Sequence, residues 1–445
     1  LGTVRFEAAG AEHETVMATA LYHSMIKPCF AADESPYWPA NGPFVFDICT
    51  MWDIYRTQLP LITALFPDRA VELANALLKI CEEEGNIPIG YRMARGADRF
   101  ARQGSALAHP FLGDLCRLGI AGIDWEWALP QMHFDLRRDH GEEYLERGIS
   151  HPITHTLDLA AAYRSTAVVA RCVGDEQLAD QFESLAEGWT VAFDSETGLL
   201  VDSTYYEGGR WNYSFRLLHD MATRISLAGG DEAFVALLDR FFGYGAPPVE
   251  QLGERPGRDE LVAGMALDRF EGLNNEPDMD APWAYHYAGR PDRTAEVVHA
   301  VLTTQFGAGR GGLPGNDDSG GLSSWYVLAA LGLFPVPGQG VVLVNAPSFR
   351  HAEIDCGATL AIDVDGPLHH EAGAPPSFVV RAELDGTELD RSWITTSELA
   401  EATRLRIVLA DTPSDWATAG RPPSVSTHPD FGQEPSPQVP PSTRP

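Results

Sequence analysis

The sequence is short of positive charge. Lys27 and Lys79 are its only lysines, and 32 basic residues face 63 acids for a formal charge of −31. That deficit argues against a nucleic-acid partner, whose phosphates need a basic footprint. It also argues against an anionic membrane surface, and it leaves neutral sugars and cations as compatible ligands. We read the near-absence of lysine as codon bias and draw no mechanism from it. No apolar run reaches the roughly 18 residues of a membrane span, so no transmembrane helix is expected. The six cysteines are scattered and none forms a CxxC pair, which excludes zinc ribbons and thioredoxin-like chemistry. Room remains for one disulfide that the spacing does not assign. No repeat of fixed period supports a solenoid. The chain opens at Leu1 with neither a methionine nor a signal-peptide pattern, and we take the native N-terminus to lie upstream. Its 445 residues, 44% of them hydrophobic, allow a sizeable core in one large domain or in two or three.

The chain is organised around residues 313–334. The first half is a glycine- and proline-punctuated loop that carries Asn316 and the adjacent acids Asp317 and Asp318. The second half, 323–333, is apolar with helical spacing, from Leu322 through Trp325, Tyr326 and Ala329 to Leu333. Ser319 is placed to cap this helix, and Gly332 with Pro335 ends it. Acids at the start of a helix meet the positive end of its dipole, which favours their ionised form. Two adjacent acids can equally be plain cap and turn residues.

Similar loops recur upstream. Trp52 and Asp53 begin a helix in which Arg56, three residues on, shares the face of Asp53 and can pair with it. Residues 92–105 are dense in arginine and glycine. Asp124-Trp125-Glu126-Trp127 alternates acids with indoles. Rings stack on apolar sugar faces and carboxylates accept hydroxyl bonds, but the same residues could be one helical turn with buried indoles, and both readings stand. Glu207 lies on a glycine loop among Tyr205, Tyr206, Trp211 and Tyr213. Aromatic surroundings would desolvate it and raise its pKa, which suits a proton donor. Residues 274–280 bring Asn274, Asn275, Glu276, Asp278 and Asp280 together. Calcium takes roughly 6 to 8 such hard oxygens, although the spacing is not that of an EF-hand.

Periodicity predicts helices over residues 11–26, 69–84, 107–118, 155–173, 176–193, 233–242, 259–270 and 291–306. Residues 199–206 read as extended. Many helical hairpins with acid- and aromatic-bearing loops predict a mostly α fold, an (α/α)6-type toroid with one pocket lined by helix ends. After Gly338 the composition changes. Short β-rich runs at 341–344, 360–364, 378–384 and 404–409, with a hairpin signal at Asp385-Gly386, predict a small C-terminal β domain. The expected division is 1–338, 339–415, and a Pro/Ser-rich disordered tail at 416–445.

Four stretches together give the chain a resemblance to glycoside hydrolase family 92, the calcium-dependent exo-α-mannosidases. They are Trp52-Asp53 with Arg56; Glu207-Gly208 with Trp211-Asn212-Tyr213; Asn275-Glu276-Pro277 running to Tyr287-Ala288-Gly289-Arg290-Pro291; and Gly315-Asn316-Asp317-Asp318 with Ser324-Trp325-Tyr326-Val327. The resemblance extends to about residue 415 and implies an inverting mechanism without a covalent intermediate. A general acid protonates the glycosidic oxygen while a base activates water, across a carboxyl gap of roughly 6.5–9.5 Å. By position Glu207 matches the acid. Asp318 matches the base, with Asp317 assisting, since some members carry an acid where this chain has Asn316. The resemblance implies Ca²⁺ on the 2- and 3-hydroxyls of a terminal mannose, held among Asn274, Asn275 and Glu276 near Asp317. It implies a sugar subsite lined by Trp52, Asp53, Trp125, Glu126, Trp211 and Asn316, and a mannose-containing glycan as partner. It favours a secreted or cell-envelope location. The family normally carries an N-terminal β-sandwich ahead of the helices, whereas this chain starts almost at the barrel. Residues 92–102 and 124–127 also depart from commoner members, so linkage specificity does not carry over. Two alternatives accompany this reading: a metal-independent glycosidase on the same toroid, and a non-catalytic carbohydrate-binding remnant.

Overall fold

A computed structural model describes residues 2–36, 38, 42–48, 50–91, 103–138, 140–201, 203–244, 273, 275–355, 359–370, 374–428 and 431. Asn274, the expected helix at 259–270, the arginine-rich stretch 92–102 and the tail from 432 lie outside the described residues. In chain order the elements are β1 (Val4–Phe6), α1 (Ala11–His23), β2 (Cys29–Phe30), β3 (Val45–Phe46), α2 (Met51–Ile54), α3 (Gln58–Leu65), α4 (Pro67–Glu84), α5 (Ala108–Arg117), α6 (Trp125–Asp135) and α7 (His140–Arg147). Then come α8 (Thr154–Cys172), α9 (Glu176–Ala186), α10 (Arg210–Tyr213), α11 (Met221–Leu227), α12 (Asp231–Phe241), α13 (Pro291–Thr304) and α14 (Gly321–Leu331). The C-terminal part adds β4 (Leu333–Val336), β5 (Val341–Val344), β6 (His351–Asp355), β7 (Thr359–Asp365), β8 (Phe378–Leu384), β9 (Thr387–Leu389), β10 (Trp393–Thr395), α15 (Thr396–Glu401) and β11 (Arg404–Ala410).

The helices form a toroid whose burial follows from their sequences. α4 starts on Pro67, where a missing N–H costs nothing, buries Leu73, Ala74, Leu77 and Cys81, and stops at Gly85. α8 is buried on nearly every face and packs against α5, α6 and α9, the position a helix without a polar face must take. All eleven residues of α14 are buried, with α1 packed along it. The two run so close at Gly320, at φ 90°, that a Cβ there would meet His23 O at 2.7 Å. Only glycine satisfies both limits.

The strand-rich region forms a six-stranded sheet in the order β1-β6-β7-β11-β8-β9 and a three-stranded sheet β10-β5-β4. β7 and β11 pair in parallel and their neighbours pair antiparallel. Alternating burial along β7 and β11 puts Leu360, Ile362 and Val364 beside Leu405, Ile407 and Leu409 in the core. Val4–Phe6, which lies ahead of every helix, joins this sheet on β6. None of the described residues of 199–206 lies in a strand; Leu200 makes a single bridge to Phe193.

Part of the expected disordered tail is ordered. Trp416 Nε1 donates to Leu389 O, Arg421 pairs with Asp231 at 2.7 Å, and Ser424 is buried with its hydroxyl accepting from Ala222 N. Composition overlooked these residues because each finds its partner far away in sequence. Cys29, Cys81, Cys116 and Cys172 are free thiols. None of the described helices is long and apolar enough to cross a membrane.

Candidate active site

Four carboxylates from four separate segments meet in one electrostatic cluster: Asp53 of α2, Glu207 of the loop before α10, Glu276 of a 3₁₀ turn, and Asp318 of the 3₁₀ turn that leads into α14. Burial, then the Asp318 and Glu207 charges, push Asp53 up to about 7; the Thr50 hydroxyl and Arg56 oppose the shift. Burial pushes Glu276 up to about 9, with Asp53 and Asp318 adding to it. Asp318 is also raised, by burial first and then by Glu207 and Asp317. Such mutual repulsion persists only where other contacts hold the groups in place.

Those contacts are visible. Asn275 Nδ2 donates to Glu207 O at 3.0 Å and to its Oε2 at 3.4 Å. Asn212 accepts from Gly209 N at 3.0 Å and donates to Asp278 at 2.8 Å. The glycine loop and the Glu276 turn are thereby tied together. On the other side, the Gln58 side chain of α3 donates to Ser24 O, Lys27 O and Ser319 O. Glu207 at φ 43° and Asp318 at φ 33° both lie in the left-handed region. For residues with a Cβ this conformation is strained, and such strain concentrates at functional sites.

Several expected roles change. Asp317, not Ser319, caps α14: its carboxylate accepts Ser323 N and Ser323 Oγ, both at 2.8 Å, and lies 3.5 Å from His23 Nδ1. Both oxygens are engaged, so its help to Asp318 is limited to its charge. Among the described residues Arg56 is ion-paired with Asp280 and not with Asp53: it donates to Trp52 O and sits 3.5 Å from the buried Asp280. Glu207 is exposed; the desolvated acids are Asp53 and Glu276 instead. Trp52 is 2% exposed, with Tyr206 edge-on at 5.4 Å. Trp211 is buried against Phe215 beneath the Arg240 guanidinium, which places it in the core of the helical part. Asn316 is exposed beside Asp317. Trp125 and Glu126 open α6, capped by Asp124 accepting Trp127 N. Trp125 is buried in the hydrophobic core, and Glu126 is exposed. Among the described residues no interaction joins either one to the carboxylates.

Two further layers lie below, the first of acids already marked as oxygen donors and the second unmarked. Asp278 and Asp280 are buried under the cluster beside Arg56, and burial pushes Asp278 up to about 7. Beneath them, Arg216 pairs with Asp158 of α8 and faces the Tyr55 ring. The run of acids at 276–280 was a signal for the first layer. Nothing local marks the second, whose partners are 58 residues apart.

Among the described residues no three His, Cys, Asp or Glu side chains stand close enough to hold a metal ion. Glu276 nevertheless has 0% exposure, and neither of its oxygens receives a hydrogen bond from another residue described. A buried carboxylate in that state must either stay protonated or meet a cation. With amide and backbone oxygens beside it, the donor set suits a hard divalent ion.

Residues 1–411 match the family model described as the glycosyl hydrolase family 92 catalytic domain. A protein of Arthroderma benhamiae named as an uncharacterized secreted glycosidase is 32% identical over 481 residues, covering 96% of this chain and 57% of its own length. The structure of a family 92 inverting mannosidase from Bacteroides thetaiotaomicron superposes with a TM-score of 0.79 at 24% identity, covering 96% of this chain and 63% of that one. A second family 92 alpha-mannosidase of the same species superposes with a TM-score of 0.82 at 21% identity, with coverage of 95% and 60%. At these identities the structures establish the shared fold, a helical toroid with a β domain. The chain spans less than two thirds of the length of each relative.

Proposed function

The chain belongs to glycosyl hydrolase family 92, and from that premise we propose that it releases terminal α-linked mannose from glycans in a single inverting step. The observation that carries this reading is the meeting of Glu207 and Asp318, both on strained backbone, with the buried acids Asp53 and Glu276. Glu207, exposed at the pocket, gives its proton to the glycosidic oxygen as the bond to the anomeric carbon breaks. Asp318 takes a proton from the water that attacks that carbon from the opposite face. Its raised pKa makes it a stronger base than an ordinary aspartate. Asn275 holds the Glu207 carboxylate in position. Trp52 and Asp53 line the sugar subsite from the start of α2. Calcium would be held by Glu276 with oxygens of Asn275 and its neighbour Asn274, and would supply charge to orient the sugar hydroxyls. The mannosidases among the structural relatives and the secreted relative support the substrate class and an exported location.

The test is mannose release from α-mannobioses by this chain, with calcium and with a chelator. Calcium-dependent release is expected. Turnover that is indifferent to the chelator would overturn the metal's role. Mannose binding without turnover, across all linkages and with calcium present, would overturn the catalytic reading.

A further inference from the structure

A cavity of about 880 Å³ lies in the seam between the helices and the strands, within the size range of small-molecule sites. It stands apart from the carboxylates. Its wall includes the first turns of α1, whereas the last residue of α1, His23, is the one beside Asp317. The 13 residues of α1 put roughly 20 Å between these ends. His13, His299, His369 and His370 line the cavity with Phe306 and Tyr326.

The lining mixes imidazoles, aromatic rings, aliphatic side chains and the Glu12 carboxylate, and His369 is held by Asp411 at 2.9 Å. His13 stacks on Phe349 at 4.5 Å and lies 4.8 Å from the His370 ring. Its Nδ1 accepts Ala9 N, so its proton sits on Nε2, which faces Ser348 Oγ. Burial pushes His13 and His370 down to about 4. His370 adds to the shift of His13, while His299, Arg350 and His369 add to that of His370. Tyr326, only 4% exposed, packs 4.9 Å from Phe306, and its hydroxyl has no hydrogen-bond partner among the described residues. His370 likewise makes no hydrogen bond among them.

Three ligand classes fit poorly. An anion would meet Glu12 on a wall without lysine or arginine, in a chain of charge −31. A transition metal would need three convergent ligands, which the described residues do not offer. An apolar ligand would leave the Tyr326 hydroxyl and the His370 imidazole unpaired, which costs more than its burial returns; His13, His299 and His369 already have partners. A neutral polyol satisfies both. Imidazoles and a phenol both donate and accept, and the rings offer faces for C–H surfaces.

We propose that this cavity is a second, non-catalytic site for a neutral saccharide, reached separately from the carboxylate pocket. It would anchor a further part of a glycan and needs neither Glu207 nor Asp318.

Titration calorimetry on the full chain carrying Glu207→Gln, with α-mannobioses and linear manno-oligosaccharides, tests this. One binding event is expected to weaken about tenfold on adding Tyr326→Phe, the loss of one hydrogen bond, and to disappear on adding His370→Ala. Tyr326→Phe keeps the ring, so it still decides the matter if His370→Ala fails to fold. In the chain with Glu207 intact, both substitutions should leave aryl α-mannoside turnover unchanged. If no binding event responds to either substitution, the proposal is overturned. A chain that never turns over the aryl mannoside counts against the mannosidase reading alone, because the response of binding to Tyr326→Phe is scored independently.

Discussion

Glu207 and Glu126 look alike in the sequence, each an acid set among large aromatic residues, yet they end in opposite surroundings. Glu126 occupies the first turn of a capped helix whose indole neighbour, Trp125, is buried in the hydrophobic core. Glu207 sits on a glycine loop at φ 43°, held by Asn275 and facing two other acids. The difference lies in the backbone. A helix turns successive side chains around its axis, so alternating acids and indoles cannot share one ligand face. A strained loop between two helices can aim a single side chain into a common pocket.

The sharpest way to break the comparison is to remove each acid's charge. Glu207→Gln should lower turnover by about 10²–10⁴-fold, with Asp318→Asn comparable, whereas Glu126→Gln should stay within about twofold. Steady-state kinetics on one substrate would show this, and an equal loss at Glu126 would erase the distinction. Next in size, Glu276→Gln should weaken the calcium dependence of activity by about 10–100-fold, a range typical of disturbed metal sites. A calcium titration of turnover reads it, and an unchanged midpoint would remove Glu276 from the metal set.

A smaller effect follows from Asp53. Its folded pKa, about 7, lies above the unfolded value near 3.8, so the folded state binds more protons between these values. Stability therefore falls as pH rises from roughly 4 to 7. Asp53→Asn should flatten that part of the metal-free melting profile, and an identical slope in the variant would show that burial does not perturb this acid. Smallest is Asp317→Ala, which should cost about 0.5–2 kcal/mol in denaturant unfolding through loss of the α14 cap, with turnover reduced far less than by Asp318→Asn. Equal loss of turnover would restore Asp317 to the base.

Most of the long helices and four of the eleven described strands were legible because periodicity is local. The observed α4, α5, α8 and α13 lie within two residues of their predicted ends, as do β5, β7, β8 and β11. Among the strands that were missed, Val4–Phe6 carries no pattern of its own and pairs on the edge that β6 offers. The motif resemblance singled out Glu207, Asp318 and Glu276. Which residues would be drawn away to other work was not legible. Asp317 went to a helix cap, Trp211 and Trp125 to the core, and Arg56 to Asp280.

The sequence by itself determined the helical body, the β-rich end and the residue types a glycan pocket needs. These depend on spacing, composition and charge. Only the tertiary structure decided which acids face one another, which aromatics are buried, and that four histidines from three distant segments share a cavity. Those outcomes depend on distances between residues far apart in the chain, and on competition for the same buried partners, which no local pattern records.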